Sequence, residues 1–246
     1  MAIKEGDFIR LSFTGVVEGE LFDTTDEERA KEEGIYDPAK SYEPITIRVG
    51  ANHVIPGLDE ALVGKEPGEE GEVEIPPEKA YGPRDEKLIQ STAVKNFQEK
   101  PTIGTRIQFE GREGVVVNII GKRAVIDFNH PLAGKTLTYT FTVEECVEGT
   151  VDQAKALIKL FSGRDMDVEL DDTVLTINLP PGINYDRRWL MGRGMTVHQI
   201  FEYLDDVDEI IQRETFKRPK KKEPEEPGEE PEVPSPAEDI SEKPEE

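Results

Sequence analysis

Three short runs hold the residues whose types could do chemistry: Phe22-Asp23, Val54-Ile55-Pro56-Gly57-Leu58 and Ala80-Tyr81-Gly82. Together they place one carboxylate and one phenol among apolar and aromatic side chains. Metal and covalent chemistry find little support elsewhere: His53, His130 and His198 are scattered, lack ligand spacing and have no Cys cluster beside them. No metal and no cofactor is expected. The single Cys146 excludes an intrachain disulfide, fits a reducing compartment and reads as an ordinary buried structural thiol.

These runs need elements to hold them. Asp7 to Val17 is rich in β-formers and alternates crudely, which predicts a strand that opens a hairpin at Glu18-Gly19-Glu20. A charged stretch from Asp26 to Tyr42 reads as an exposed loop before a second strand at Ile45 to Gly50. The Pro- and Gly-rich turn at Ile55-Pro56-Gly57 opens a helix of about two turns that Gly64 closes. Gly71 to Pro77 is another strand, stopped by its two prolines, and Glu78 to Pro83 a tight turn. From Arg84 to Asn129 a different module starts as mixed helical and irregular chain and continues as β-runs at Thr105 to Glu110, Gly114 to Ile120 and Ala124 to Phe128. A strongly β-prone strand follows at Thr136 to Val143. Then come a helix from Val151 to Phe161, strands at Met166 to Leu170 and Thr173 to Leu179, a helical stretch from Asp186 to Leu204 and a last strand from Glu209 to Phe216.

At 246 residues the chain is long enough for two or three domains. The formal net charge of -23, with no Lys/Arg stripe interleaved with aromatics, argues against a nucleic-acid partner. A polar N-terminus and the lack of any apolar run near ~18 residues predict neither a signal peptide nor a membrane partner, hence a soluble, cytoplasmic protein. Pro219 to Glu246 holds 7 Pro and 11 Asp/Glu among 28 residues and reads as a disordered acidic tail, with Lys220-Lys221-Lys222 as part of its solvated surface.

The order Phe22-Asp23, then Val54-Ile55-Pro56-Gly57-Leu58, then Ala80-Tyr81-Gly82 resembles the FKBP-type peptidyl-prolyl cis-trans isomerases at the positions that line their proline pocket. The insert after Tyr81-Gly82 and the return through Asn129-His130-Pro131-Leu132-Ala133-Gly134 are similar to the SlyD-like branch, in which an insert-in-flap chaperone domain interrupts the isomerase domain. The further C-terminal domain is similar to that of the long archaeal members. The resemblance implies an α+β fold: an antiparallel sheet curled over a short helix, an inserted mostly-β chaperone domain and a C-terminal α+β domain. The corresponding divisions are 1–83 with 130–150, 84–129, 151–218, and the tail 219–246.

Carried over residue by residue, the resemblance implies pocket walls at Phe13, Phe22, Ile45, Val54, Ile55, Tyr81 and Tyr139, with Leu58 at the floor. Rotation about an X-Pro bond is opposed by amide resonance worth about 18–20 kcal/mol, and no bond is made or broken. A water-poor cavity favours the twisted amide over the planar, charge-separated form, and a hydrogen bond to the substrate carbonyl fixes the chain while the prolyl side turns. That donor is assigned to the Ile55 backbone N–H, with the Tyr81 hydroxyl second and Asp23 in an electrostatic role. Leu58 stands where many members have Trp, and Ile45 where they have an aromatic residue. Read singly, Phe22 is core, Asp23 a turn former and Tyr81 a strand-end tyrosine; their joint order carries the functional reading.

Unfolded or nascent polypeptides containing proline are the implied partners. Ile89, Val94, Phe97, Ile103 and Ile107 of the insert either face such chains or form the insert's own small core. Trp189 reads as core. Two other functions stay open: a holdase or client-binding module with little isomerase activity, and a C-terminal domain that pairs two copies of the chain or docks a partner.

Overall fold

The computed structural model describes residues 1–97 and 99–218. The tail expected from 219 to 246 lies outside the described residues. Among the described residues twelve strands form three sheets, accompanied by four α-helices, in keeping with the expected α+β class.

The first sheet has five strands, with β1 (Phe8–Val17) at its centre. One edge of β1 pairs along almost its whole length with β9 (Leu137–Cys146). The other edge is shared between β3 (Ile45–Arg48), which takes Phe8 to Leu11, and β2 (Glu20–Thr24), which takes Thr14 to Val17. β4 (Glu70–Ile75) closes the far side of β9. Alternation along β1 sends Ile9, Leu11 and Phe13 to an apolar cluster beneath the sheet, where Leu58 and Leu62 of α2 (Pro56–Leu62) meet them. Pro56 sits at the start of α2, where its missing N–H costs nothing, as the sequence predicts. The buried Asp59 accepts from the Gly50 N–H at 2.9 Å and the Asn52 N–H at 3.3 Å, which fixes the loop leading into α2.

Two sequence readings need correction. The charged segment after Asp26 is not all loop: α1 spans Glu27–Glu32, with Asp26 capping the Arg29 N–H at 3.1 Å and Ala30 buried. The start of the insert is not merely irregular, because β5 (Ile89–Ala93) lies between single 3-10 turns and pairs with β8 (Arg123–Asp127). The second sheet runs β5-β8-β7-β6, with β6 at Arg106–Phe109 and β7 at Arg112–Ile120. Its stem is tied to the first sheet by Gly134 N–H donating to Gly82 O at 2.8 Å. Arg84 also pairs with Asp127, and the Asp85 N–H donates to Asn129 Oδ1 at 2.8 Å.

The third sheet, β10-β11-β12 (Asp167–Asp171, Val174–Leu179, Glu209–Glu214), is packed by α3 (Thr150–Ser162) and α4 (Arg187–Tyr203). β11 and β12 are parallel, and α4 lies on the connection between them. Trp189 is fully buried in this core, as the sequence reading has it, whereas Cys146 is half-buried rather than buried. Among the described residues no helix is long and apolar enough to cross a membrane, and no cluster could hold a metal ion.

The third core also takes a residue from the first sheet. Phe8, whose side chain leaves β1 on the face opposite Ile9, is buried among the C-terminal apolar residues. Around it, His53 Nδ1 accepts from the Arg48 N–H at 3.1 Å and His53 Nε2 meets Gln199 Oε1 at 2.8 Å, while Arg48 lies 4.2 Å over the Tyr203 ring. These contacts require the neutral, Nε2-protonated imidazole, and burial lowers the His53 pKa from its usual value.

A depressed histidine pKa contributes stability that is complete above the unfolded value near ~6.5 and lost as pH falls toward the folded one. Thermal midpoints of wild type should therefore fall between pH 7.5 and pH 5.5 by more than those of His53→Gln. An identical fall in both would remove His53 as the cause.

Candidate active site

One row of paired residues crosses four strands: Val73 of β4, Tyr139 of β9, Gly15 of β1 and Asp23 of β2. Antiparallel partners in register share a face, so Asp23 and Tyr139 flank the missing side chain of Gly15. A Cβ at Gly15 would lie 2.7 Å from the Phe22 ring and 3.1 Å from that of Tyr139, so only glycine leaves room for both.

Phe22 and Asp23 are adjacent in sequence, and a regular strand would turn them to opposite faces. The register instead steps from Gly15–Asp23 to Val16–Leu21, leaving Phe22 as the extra residue of a β-bulge. Its ring therefore packs edge-on against Tyr139 at 5.7 Å, beside the carboxylate. Phe13 reaches Tyr139 from β1 at 5.8 Å.

All eight apolar or aromatic candidates belong to one cluster. Leu58 and Tyr139 are buried in it; Phe13, Phe22, Ile45, Val54, Ile55 and Tyr81 are partly buried against it. Val54 and Ile55 are presented by the loop that Asp59 pins. Ile55 caps α2 through its carbonyl, which accepts from Leu58 and Asp59, and among the described residues nothing accepts from its N–H.

Burial raises the Asp23 pKa, against the opposing pull of Lys40, whose Nζ lies 3.7 Å away. Tyr81 is raised by burial and by the Asp23 charge, and Tyr139 by burial and then by Tyr81 and Asp23. The three polar groups thus act on one another across the cluster. Both phenols remain protonated hydrogen-bond donors in neutral solution.

A cavity of about 420 Å³ opens over Phe13, Asp23 and Ile45. Phe22, Val54, Ile55, Leu58, Tyr81 and Tyr139 do not line it. Several neighbours carry no signal in the sequence. His130 stacks flat on Tyr81 at 4.2 Å, Lys40 stands beside Asp23, and the cavity's far wall comes from the C-terminal elements. The Gly15 requirement is equally silent, because one glycine in a strand marks no particular partner.

The chain matches three family models: "FKBP-type peptidyl-prolyl cis-trans isomerase" over residues 1–98, "FKBP26, IF domain" over 87–132 and "FKBP26_C-terminal" over 150–217. It is 42% identical over 146 residues to the short-type peptidyl-prolyl cis-trans isomerase of Methanocaldococcus jannaschii, a match covering 58% of this chain and 93% of that protein. It is 36% identical to the SlyD isomerase of Treponema pallidum, over 44% of this chain and 65% of that one. With the SlyD isomerase of Haemophilus influenzae the identity is 32%, over 51% and 69%. These matches make the chain a member of the FKBP-type peptidyl-prolyl cis-trans isomerases.

Proposed function

We propose that the chain turns X-Pro bonds in unfolded or nascent polypeptides at the site formed by Phe13, Phe22, Asp23, Ile45, Val54, Ile55, Leu58, Tyr81 and Tyr139. The observation that carries this reading is the cross-strand row of Tyr139, Gly15 and Asp23 with its bulge. It turns an aromatic ring, a phenol and a half-buried carboxylate toward one another within an apolar cluster. In this reading the prolyl ring packs on the aromatic faces and the Ile55 N–H, left without an internal acceptor, holds the substrate carbonyl. The Tyr81 hydroxyl is the second donor. Asp23 acts through its charge, and the dry surroundings strengthen that effect.

The division supporting this activity is an isomerase domain of residues 1–83 and 130–150, interrupted by an insert of 84–129 and followed by a C-terminal domain of 151–218. The insert adds client holding. Ile103, Val117 and Ile120 stand exposed on it, while Val116, Ala124 and Ile126 are buried. The single Cys146 and the acidic charge favour a reducing, cytoplasmic setting and polypeptide rather than nucleic-acid clients.

The C-terminal domain has a second role in this reading, pairing two copies of the chain. Leu190, Met191, Met195 and Phe201 stand exposed along α4, with Met191 and Met195 one helical turn apart.

In a protease-coupled proline peptide assay, Asp23→Asn combined with Tyr81→Phe should lower kcat/KM about tenfold or more, the equivalent of one transition-state hydrogen bond. Asp23→Asn alone should raise the thermal midpoint at neutral pH, since a carboxyl whose folded pKa is raised loses stability as pH climbs through it. A wild-type rate in the double variant would sink the site.

Deleting residues 84–129 should leave peptide turnover within a few fold while cutting turnover of an unfolded protein strongly. Equal losses on both substrates count against a client-holding insert. In sedimentation, Met191→Glu with Met195→Glu should convert a pair of chains to single ones; a wild type that is already single removes the pairing.

A further inference from the structure

The cavity over Phe13, Asp23 and Ile45 is walled on its far side by Ala156, Leu160 and Arg188. Its volume of about 420 Å³ falls among cavities that hold ligands, which run from about 300 to 1,000 Å³. One end is therefore the edge of the proline site, and the other belongs to α3 and α4.

The cavity gathers cations within an acidic chain. Net charge is -23 overall, yet Arg10, Lys40, Lys159 and Arg188 face only Asp23 and Glu43 on its lining. Three of those cations are engaged by carboxylates, Arg10 by Glu145 at 3.5 Å and Lys159 in part by Asp165 at 3.0 Å. Lys159 Nζ holds Glu43 at 2.8 Å and keeps that carboxyl below its usual pKa, and Lys40 stands at 3.7 Å from Asp23.

Arg188 differs. Among the described residues it has no carboxylate partner, and its Nε and Nη2 donate at 3.4 Å and 3.2 Å to the Phe161 and Leu160 carbonyls at the end of α3. Those bonds hold the guanidinium in place and use two of its five N–H donors. Carbonyl partners leave its unit charge uncancelled, and a fixed planar fork with free donors is suited to a carboxylate.

We propose that this cavity is a client subsite shared between the isomerase and C-terminal domains, in which Arg188 binds an acidic side chain a few residues from the proline. The proposal rests on the reading of the Asp23 end as the prolyl site. It makes the C-terminal domain a selector of sequence context: a client passing out of the prolyl site meets the uncancelled charge of Arg188.

The test uses the full chain and proline peptides carrying Glu, Gln or Lys at positions two to four residues from Pro on either side. For each enzyme the readout is the ratio of kcat/KM for the Glu peptide to that for the Gln peptide, so a general loss of folded protein cancels. Wild type should prefer Glu by roughly fivefold at one position, a ratio that shrinks with added salt as exposed charge is screened. Arg188→Gln, which removes the charge and keeps an amide donor, should bring the ratio to one, and Arg188→Glu should turn the preference toward Lys. A wild-type ratio of one at every position, or an unchanged ratio in Arg188→Gln, overturns the proposal. Failure of the prolyl site shows separately, as wild-type turnover of the Gln peptide by the Asp23→Asn, Tyr81→Phe double variant.

Discussion

The pairing of β1 with β9 governs the rest of the molecule. It sets Gly15 opposite Tyr139 while the other edge of the same residue faces Asp23. A one-residue slip would send Ile9, Leu11 and Phe13 to the wrong face and separate the phenol from the carboxylate. That register also directs Phe8 outward, so the strand that organises the first core contributes a side chain to the third. One ten-residue strand thus fixes the candidate site, the cavity beside it and the seat of the C-terminal domain.

The polar part of the candidate site is held at a cost in stability. Asp23 lies half-buried where desolvation disfavours its charge, and Lys40 and the Thr24 backbone N–H offset this in part. Phe22 occupies a bulge, which interrupts the ladder. Such features persist because the surrounding apolar cluster and the β1–β9 ladder hold them. His130, stacked on Tyr81, comes from the return segment of the insert, so the insert's stem reaches the site even though its sheet lies elsewhere.

Much of this was legible in the sequence, for identifiable reasons. β1, β3, β4 and β9 declare themselves by β-branched and aromatic alternation, and α2 by Pro56 and Gly64. Phe22, Asp23, Ile55 and Tyr81 stood out through order rather than through any one residue. What stayed hidden depends on tertiary contact. α1 carries a single buried residue, Ala30, so it has no apolar period to read, and only the Asp26 cap marks it. β5 is too polar and short to look like a strand without β8 beside it. The bulge at Phe22, the clearance at Gly15 and the joining of Arg188 to the Asp23 cavity require strands and domains to be placed first. The charge-rich composition gave no hint of the last, because the cations concerned lie far apart in sequence.

The hydrogen-bonded stem of the insert also bears on how the chain assembles. β1 cannot close its ladder until β9 has been made, and an unstructured segment of that length would charge the closure with loop entropy that rises by about 0.6 kcal/mol per doubling. β5 to β8 pair only among themselves, and the bond from Gly134 to Gly82 joins the two ends of the segment they occupy. Once those strands have formed, the intervening chain behaves as a short rigid bridge that delivers Leu137 beside Ile75, as the register requires. A paired insert thus holds the two ends of its host within one hydrogen bond of each other, which lowers the entropy lost when β9 closes on β1 and β4.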